Sequence, residues 1–362
     1  MSIIAKKDIG EILKNRLISD EITQVDIAKQ IGITKGYMSK FLAGKEIAFW
    51  MVIEAVKCII PEKEKDLMSD YCKSGIDKKY VFCALEYCYT KQLYDVMRFL
   101  IVEYSKAAPE ACHIYKWILT HRGSFEIAYI NKLHRNEYKS IEARALLTIL
   151  EVYGYYNLGK YDMARLFIEK ASDSLDDVKD PFVKKSFIAR LDEVLANIYL
   201  KQDNNVVKAR QFAESLLNSQ ISTNHILTAN YLFALSYFME SYEKSYLYYC
   251  RVLEILEKES QRIDEVLQNK EEVAILQHYW FKEIDPQFNI TKFTECLSHN
   301  HSLSEFYDDT SLRVYAYLFD GIKERRSDKL LLSLHYFSEK RDYFRANLPK
   351  IQLHKLDLDI RI

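Results

Sequence analysis

The sequence predicts an all-α protein, and three observations carry that expectation. Only 9 Gly and 5 Pro occur in 362 residues, too few for a turn-rich β fold or for glycine-rich phosphate loops. Hydrophobic residues make up 49% and charged residues 28%, the balance of a folded chain. Apolar residues recur at spacings of three and four along the chain, with short polar breaks between them. The length exceeds what one core usually supports, so a small head followed by an extended body is expected.

The head occupies residues 1–65. Within it, TQVDIAKQIGITKGYMSKFLAGKEIA begins at Thr23. Thr23 caps a helix with Val25, Ile27, Ala28 and Ile31 as its apolar positions. Gly32 supplies a sharp turn, because glycine accepts a positive φ. Thr34 caps a second helix with Met38, Phe41 and Leu42 inward, closed by Gly44. A third helix near Phe49 to Ile60 completes a small core with Trp50, Ile53 and Val56. Lys35, Tyr37, Ser39 and Lys40 are left on the outer face, and Lys45 follows. From Gly32 to Lys45 there are three lysines and no acid, although the whole chain carries a net charge of -1. Short donors and lysines at the start of such a helix are what base edges and phosphates require. The residues expected to meet DNA are Thr34, Lys35, Tyr37, Ser39, Lys40 and Lys45.

The body, residues 66–362, is predicted to be a superhelical array of TPR-like helical hairpins. Its best unit is Thr148 to Ala171, where Gly159 and Tyr161 turn the chain and Ala164 and Ala171 allow close helix packing. Weaker copies run from Leu191, Asn230 and Val314. The concave face of such an array suits an extended peptide, whose amides need partners that both donate and accept. In the helix from Phe187 to Lys201, an apolar stripe of Ile188, Leu191, Leu195 and Ile198 runs beside a polar one of Arg190, Glu193, Asn197 and Lys201. The second stripe is either a peptide clamp or a solvated outer face.

No enzyme signature emerges among the nucleotide, zinc-protease and serine-hydrolase motifs, and no cofactor or metal is called for. Seven cysteines stand singly without a C-x-x-C pair, which fits reduced thiols in a cytoplasm. No apolar run reaches the roughly 18 residues of a membrane span.

The combination of head and repeats resembles the RRNPP group of peptide-responsive regulators, and within it the arbitrium receptor (AimR) family of Bacillus-infecting phages. The stretches that carry the resemblance are Met68 to Cys88, the Asn197 helix in its A-N-I-Y-L setting, and Leu334 to Pro349. The resemblance implies a homodimeric regulator that binds double-stranded promoter DNA and a short secreted peptide, a hexapeptide, and so controls the lysis–lysogeny decision. It implies that Asn197 holds the peptide backbone and that Asp342 receives a peptide arginine. A second asparagine of the family, one turn on, is Lys201 here, and Asn224 and Asn230 are approximate matches in the next repeat. The alternatives are a regulator whose repeats bind a protein partner, or a repeat protein whose head is degenerate; the basic outer face speaks against the latter.

Overall fold

The computed structural model describes residues 6–121, 125–133, 138–259 and 261–356, and among them the regular structure is helical with no strand. The chain divides into two compact units, Met1–Leu191 and Asp192–Ile362. The division falls inside a helix, so the head and the first body helices share one unit.

In the first unit, α1 (Lys6–Ser19), α2 (Gln24–Ile31), α3 (Lys35–Leu42) and α4 (Phe49–Ile59) form the head. Thr23 caps α2, accepting from Asp26 N, and Gly32 at φ 78° ends it with its N–H on the Ala28 and Lys29 carbonyls. Ile27 and Ala28 are buried but Val25 is not: two residues from Ile27 on a helix is more than half a turn, so Val25 faces solvent, against expectation. Phe49 takes the core place expected of Trp50, which is half-buried. Gly10 marks the closest approach in the head. A Cβ there would meet the backbone oxygens of Leu42 and Phe41 at 2.9 and 3.0 Å, so only glycine lets α1 lie against the end of α3.

The head core continues into the helices that follow, α5 (Glu64–Lys73) and α6 (Val81–Thr90). Phe41 of α3 packs edge-on to Tyr71 of α5, Tyr71 meets Phe49 of α4, and Phe49 meets Tyr87 of α6, with centroids 5.8–6.4 Å apart. The unit is completed by α7 (Tyr94–Glu103), α8 (Pro109–Thr120), α9 (Ile127–Leu133), α10 (Ile141–Asn157), α11 (Tyr161–Leu175) and the first part of α12 (Pro181–Asn197). Gly159, at φ 67°, makes the turn between α10 and α11, and Ala164 and Ala171 are fully buried where those helices pack.

The second unit begins on α12, which runs directly into a π-helical turn, Ile198–Gln202. There follow α13 (Val206–Ser219), α14 (Thr223–Tyr237), α15 (Tyr242–Leu256), α16 (Ile263–Tyr279), α17 (Lys292–Ser298), α18 (Arg313–Glu324), α19 (Ser327–Glu339) and α20 (Asn347–His354). Hairpins pack within this unit, α14 on α15 and α18 on α19. Small residues stand where the helices touch, as in Ser245, whose hydroxyl donates to the Ala234 carbonyl at 2.8 Å. Its core gathers Phe238, Tyr249, Leu276, Phe293, Leu318 and Phe337.

Candidate functional site

Two surfaces hold the residues singled out above. The first is the outer face of α3. Thr34 caps the helix, accepting from Tyr37 N at 3.4 Å, and Met38, Phe41 and Leu42 anchor its inner side. Lys35, Gly36, Tyr37, Ser39, Lys40 and Lys45 all reach solvent, with Tyr37 at 45%. Ser39 Oγ lies 3.4 Å from Gln24 Oε1, tying the face to α2, and Lys40 Nζ stands 5.5 Å over the Tyr37 ring. A Cβ at Gly36 would meet nothing closer than Thr34 Oγ1 at 3.7 Å, so the helix start is open to a large partner. Helix N–H groups, three lysines and no acid make this face attractive to polyanions.

The second surface is built in the second unit from three polar stripes at helical spacing. On α12 and the π turn they are Glu193, Asn197 and Lys201; on α14, Asn224, Thr228 and Tyr231; on α16, Glu265, Asn269 and Glu272. The three helices are buried on several sides, and the stripes are the polar positions left among those buried residues. Glu193, Asn224, Thr228, Tyr231, Arg262, Glu265 and Asn269 line a cavity of about 310 Å³ over Leu227, Val252 and Leu256. Thr228 donates to Glu193 at 3.2 Å, and Arg262 Nη1 donates to Asn224 Oδ1 at 2.9 Å. The Asn197 amide nitrogen donates to the Glu193 carbonyl at 2.9 Å.

The expected residues divide on this framework. Asn224 lines the cavity. Asn230 does not: it is buried, with its amide nitrogen on the Ile226 carbonyl at 2.7 Å, and Tyr231 faces the cavity at that level of α14. Of the expected apolar stripe of α12, Leu191 and Ile198 are buried and Leu195 is half-buried, but Ile188 is 40% exposed and the neighbouring Phe187 fills the core in its place. Arg190 leaves the polar stripe altogether. It lies in the first unit, 2% exposed, paired with Glu86.

Lys201 and Asp342 are brought together, in a charged cluster that sequence reasoning did not see. Arg345 Nε donates to Asp342 at 2.6 Å, and Arg345 Nη1 donates to Tyr315 Oη at 2.9 Å and Glu272 at 3.3 Å. The Tyr249 hydroxyl donates to Glu272 at 3.4 Å. Asp342, expected to receive a ligand's arginine, thus already holds the chain's own. Burial pushes the Asp342 carboxyl up, but the Arg345 guanidinium and N–H, with Lys201, outweigh it and hold it below the ordinary range. Burial raises Glu272 despite Arg345. The Lys201 carbonyl accepts from Tyr343 N at 2.8 Å, pinning this segment to the π turn. Asp342, Arg345, Glu272 and Tyr315 line a second cavity of about 260 Å³. Arg345 was visible as the basic residue three positions after Asp342; Glu272 emerges only from the register of α16.

Comparison with known proteins places these surfaces in context. The family described as AimR transcriptional regulator-like matches residues 64–355. The AimR transcriptional regulator of Bacillus phage phi3T is 23% identical over 342 residues, covering 86% of this chain and 87% of that protein. The AimR transcriptional regulator of Bacillus phage SPbeta is 21% identical over 338 residues, covering 85% of each. Among solved structures, SeMet-phAimR superposes with a TM-score of 0.78 at 19% identity over 97% of both chains. The structure named phAimR-Ligand gives 0.66 at 18% identity, over 86% of this chain and 98% of that one.

Proposed function

Since the chain belongs to the AimR transcriptional regulator-like family, we propose that it is a peptide-responsive transcriptional regulator of a Bacillus phage. Its head, residues 1–65, reads promoter DNA as a helix-turn-helix. Its body, residues 66–362, holds a short signalling peptide on the polar stripes of the second unit, as TPR-like repeats do. The protein works as a homodimer in the cytoplasm of the host, and the peptide biases the lysis–lysogeny decision. The observation that carries this reading is the convergence of Glu193 from α12, Asn224 and Thr228 from α14 and Glu265 and Asn269 from α16 on one cavity, with Asn197 outside its lining and bonded to the Glu193 carbonyl. Backbone amides of an extended peptide require such partners. The relative named phAimR-Ligand supports a ligand for the family fold.

On DNA, replacing Lys35 and Lys40 together by alanine is expected to weaken operator binding. The slope of log affinity against log salt should fall by about 0.9 for each phosphate that the variant no longer neutralises. Gel shifts across a salt series measure both, and an unchanged slope would remove α3 from the interface.

On the peptide, Asn197→Ala is expected to weaken binding by about 1–3 kcal/mol, tenfold to a hundredfold, because a ligand N–H facing Asn197 would lose its acceptor. Calorimetric titration with a synthetic hexapeptide that the native chain binds reads this directly. A peptide that binds the variant as tightly as the native chain would place Asn197 outside the site. Operator affinity must also shift on saturation with peptide if the two sites are linked.

A further inference from the structure

The turn that joins α5 to α6 is held from both sides. The Tyr104 hydroxyl, just past α7, accepts from Ile76 N at 2.7 Å and donates to the Ile76 carbonyl at 2.8 Å. Asp77 N donates to Glu46 Oε1 at 2.8 Å, and Glu46 directly follows Lys45 in the loop that leaves α3. On the near side of the turn, Tyr71 of α5 lies against Phe41 of α3. The turn is therefore tied to α3 and its loop at two points, and all of these residues lie in the first unit.

What the turn presents is positive charge. Lys45 and Lys78 flank the Glu46–Asp77 bond on its two sides, and Lys79 follows; all three lysines are exposed. Among the described residues Lys45 and Lys78 have no carboxylate within 4.0 Å of Nζ, and Lys79 has only Asp77, at 3.7 Å. The acids nearby are taken up by backbone. Glu46 accepts from Asp77 N, and Asp77 accepts from Lys79 N at 3.1 Å. Lys78 and Lys79 also line a cavity of about 460 Å³ with Lys139, Glu110, Glu142 and Asp180. There Glu110 and Asp180 accept from N–H groups at the starts of α10 and α12, at 2.9–3.1 Å. An acid set against the start of a helix has its charge met in place. The lysines have no such partner, and their charge is what faces solvent.

Phosphate contacts fix a protein's register on a duplex without reading its sequence. We propose that Lys78 and Lys79 hold the phosphate backbone of the same duplex that α3 reads, on the side where Lys45 leaves the helix. The body then takes a direct part in binding DNA, through a turn that lies outside the helix-turn-helix pattern. Two flexible ammonium chains suit the role, because a phosphate can be met by a point charge without a fixed fork. This inference rests on the reading of α3 as the DNA face.

The test uses the full chain and a duplex that the native chain selects from a randomised pool. Binding is followed over a salt series for the native chain, for Lys78→Gln with Lys79→Gln, and for Lys78→Arg with Lys79→Arg. Lys116→Gln with Lys170→Gln removes the same charge from exposed positions of α8 and α11 and serves as the control. The first glutamine pair should lower the slope of log affinity against log salt by about 0.9 for each phosphate released, roughly 1.8 for each chain bound. A fresh selection with that variant should return the same base sequence, and the arginine pair should keep the native slope. A slope that stays put, or that falls as far in the control, would overturn the inference and leave α3 as the DNA face. So would a changed base sequence, or an arginine pair that loses as much as the glutamine pair, since the turn would then act through its shape and not its charge. A native chain that selects no duplex would overturn both readings.

Discussion

Replacing Glu86 by alanine is expected to destabilise the first unit by about 3–5 kcal/mol, the usual cost of leaving a buried charge without its partner. Glu86 on α6 is fully buried. One carboxylate oxygen accepts from Ser186 and from Arg190 Nε at 3.1 Å, and the other from the Tyr115 hydroxyl at 2.5 Å and Arg190 Nη2 at 2.7 Å. The guanidinium lies over the Tyr89 ring, 4.4 Å from its centroid. This one carboxylate therefore joins α6, α8 and α12. Glu86→Gln keeps the shape and some of the bonds and should cost less. The double change Glu86→Leu with Arg190→Met should recover much of the loss, because an apolar pair of similar volume avoids the desolvation of both charges. Urea unfolding followed at Trp117 in this unit gives the values. A loss below about 1 kcal/mol for Glu86→Ala would mean that water reaches Arg190 and that the cluster is not a buried ion pair in solution.

Arg345→Ala is expected to have an effect of similar size, again about 3–5 kcal/mol, in the second unit. It leaves Asp342, 4% exposed, and Glu272 without their shared cation. The pH dependence gives the sharper signature. In the native chain Asp342 is held below its unfolded pKa. Its contribution is thus fully present above the unfolded value, about 3.9, and is lost as pH falls through the lower folded value. In the variant, burial acts without Arg345 and the carboxyl rises, so the folded state takes up a proton before the unfolded chain does. The gap in stability between native chain and variant should narrow as pH falls from about 7 towards 4. Denaturant curves at several pH values would show it, and a gap independent of pH would mean that Asp342 is not the group Arg345 neutralises. Hydrogen exchange at Tyr343 N, bonded to the Lys201 carbonyl, should quicken in the variant.

Much of the fold could be read in the residues because local chemistry decides it. Thr23, Gly32 and Thr34 act within a few positions of themselves, and each performs the expected cap or turn. Gly159 and the buried alanines of α11 follow from the same short-range logic. The errors are of register. Val25, Ile188 and Asn230 each lie one or two positions from the residue that takes the expected place, because about 100° of rotation per residue turns a small offset into a different face. The charged cluster was illegible for another reason. Lys201, Glu272 and Arg345 lie on three stretches far apart in the chain, and no pattern within one helix reports that they meet. Asp342 was named from resemblance alone, which could supply the position but not its partner.

The π turn at Ile198–Gln202 has a consequence for how this sequence can diversify. A turn closed from i to i+5 holds one residue more than an ordinary helix. Loss of that residue would let the turn close as an ordinary helix, and the residues beyond it would keep their faces, because the wider turn absorbs the extra residue locally. Only positions within the turn, Lys201 among them, would change their occupant. A single codon deleted here therefore changes what stands at the turn while leaving the helix before it and the segment after it in register.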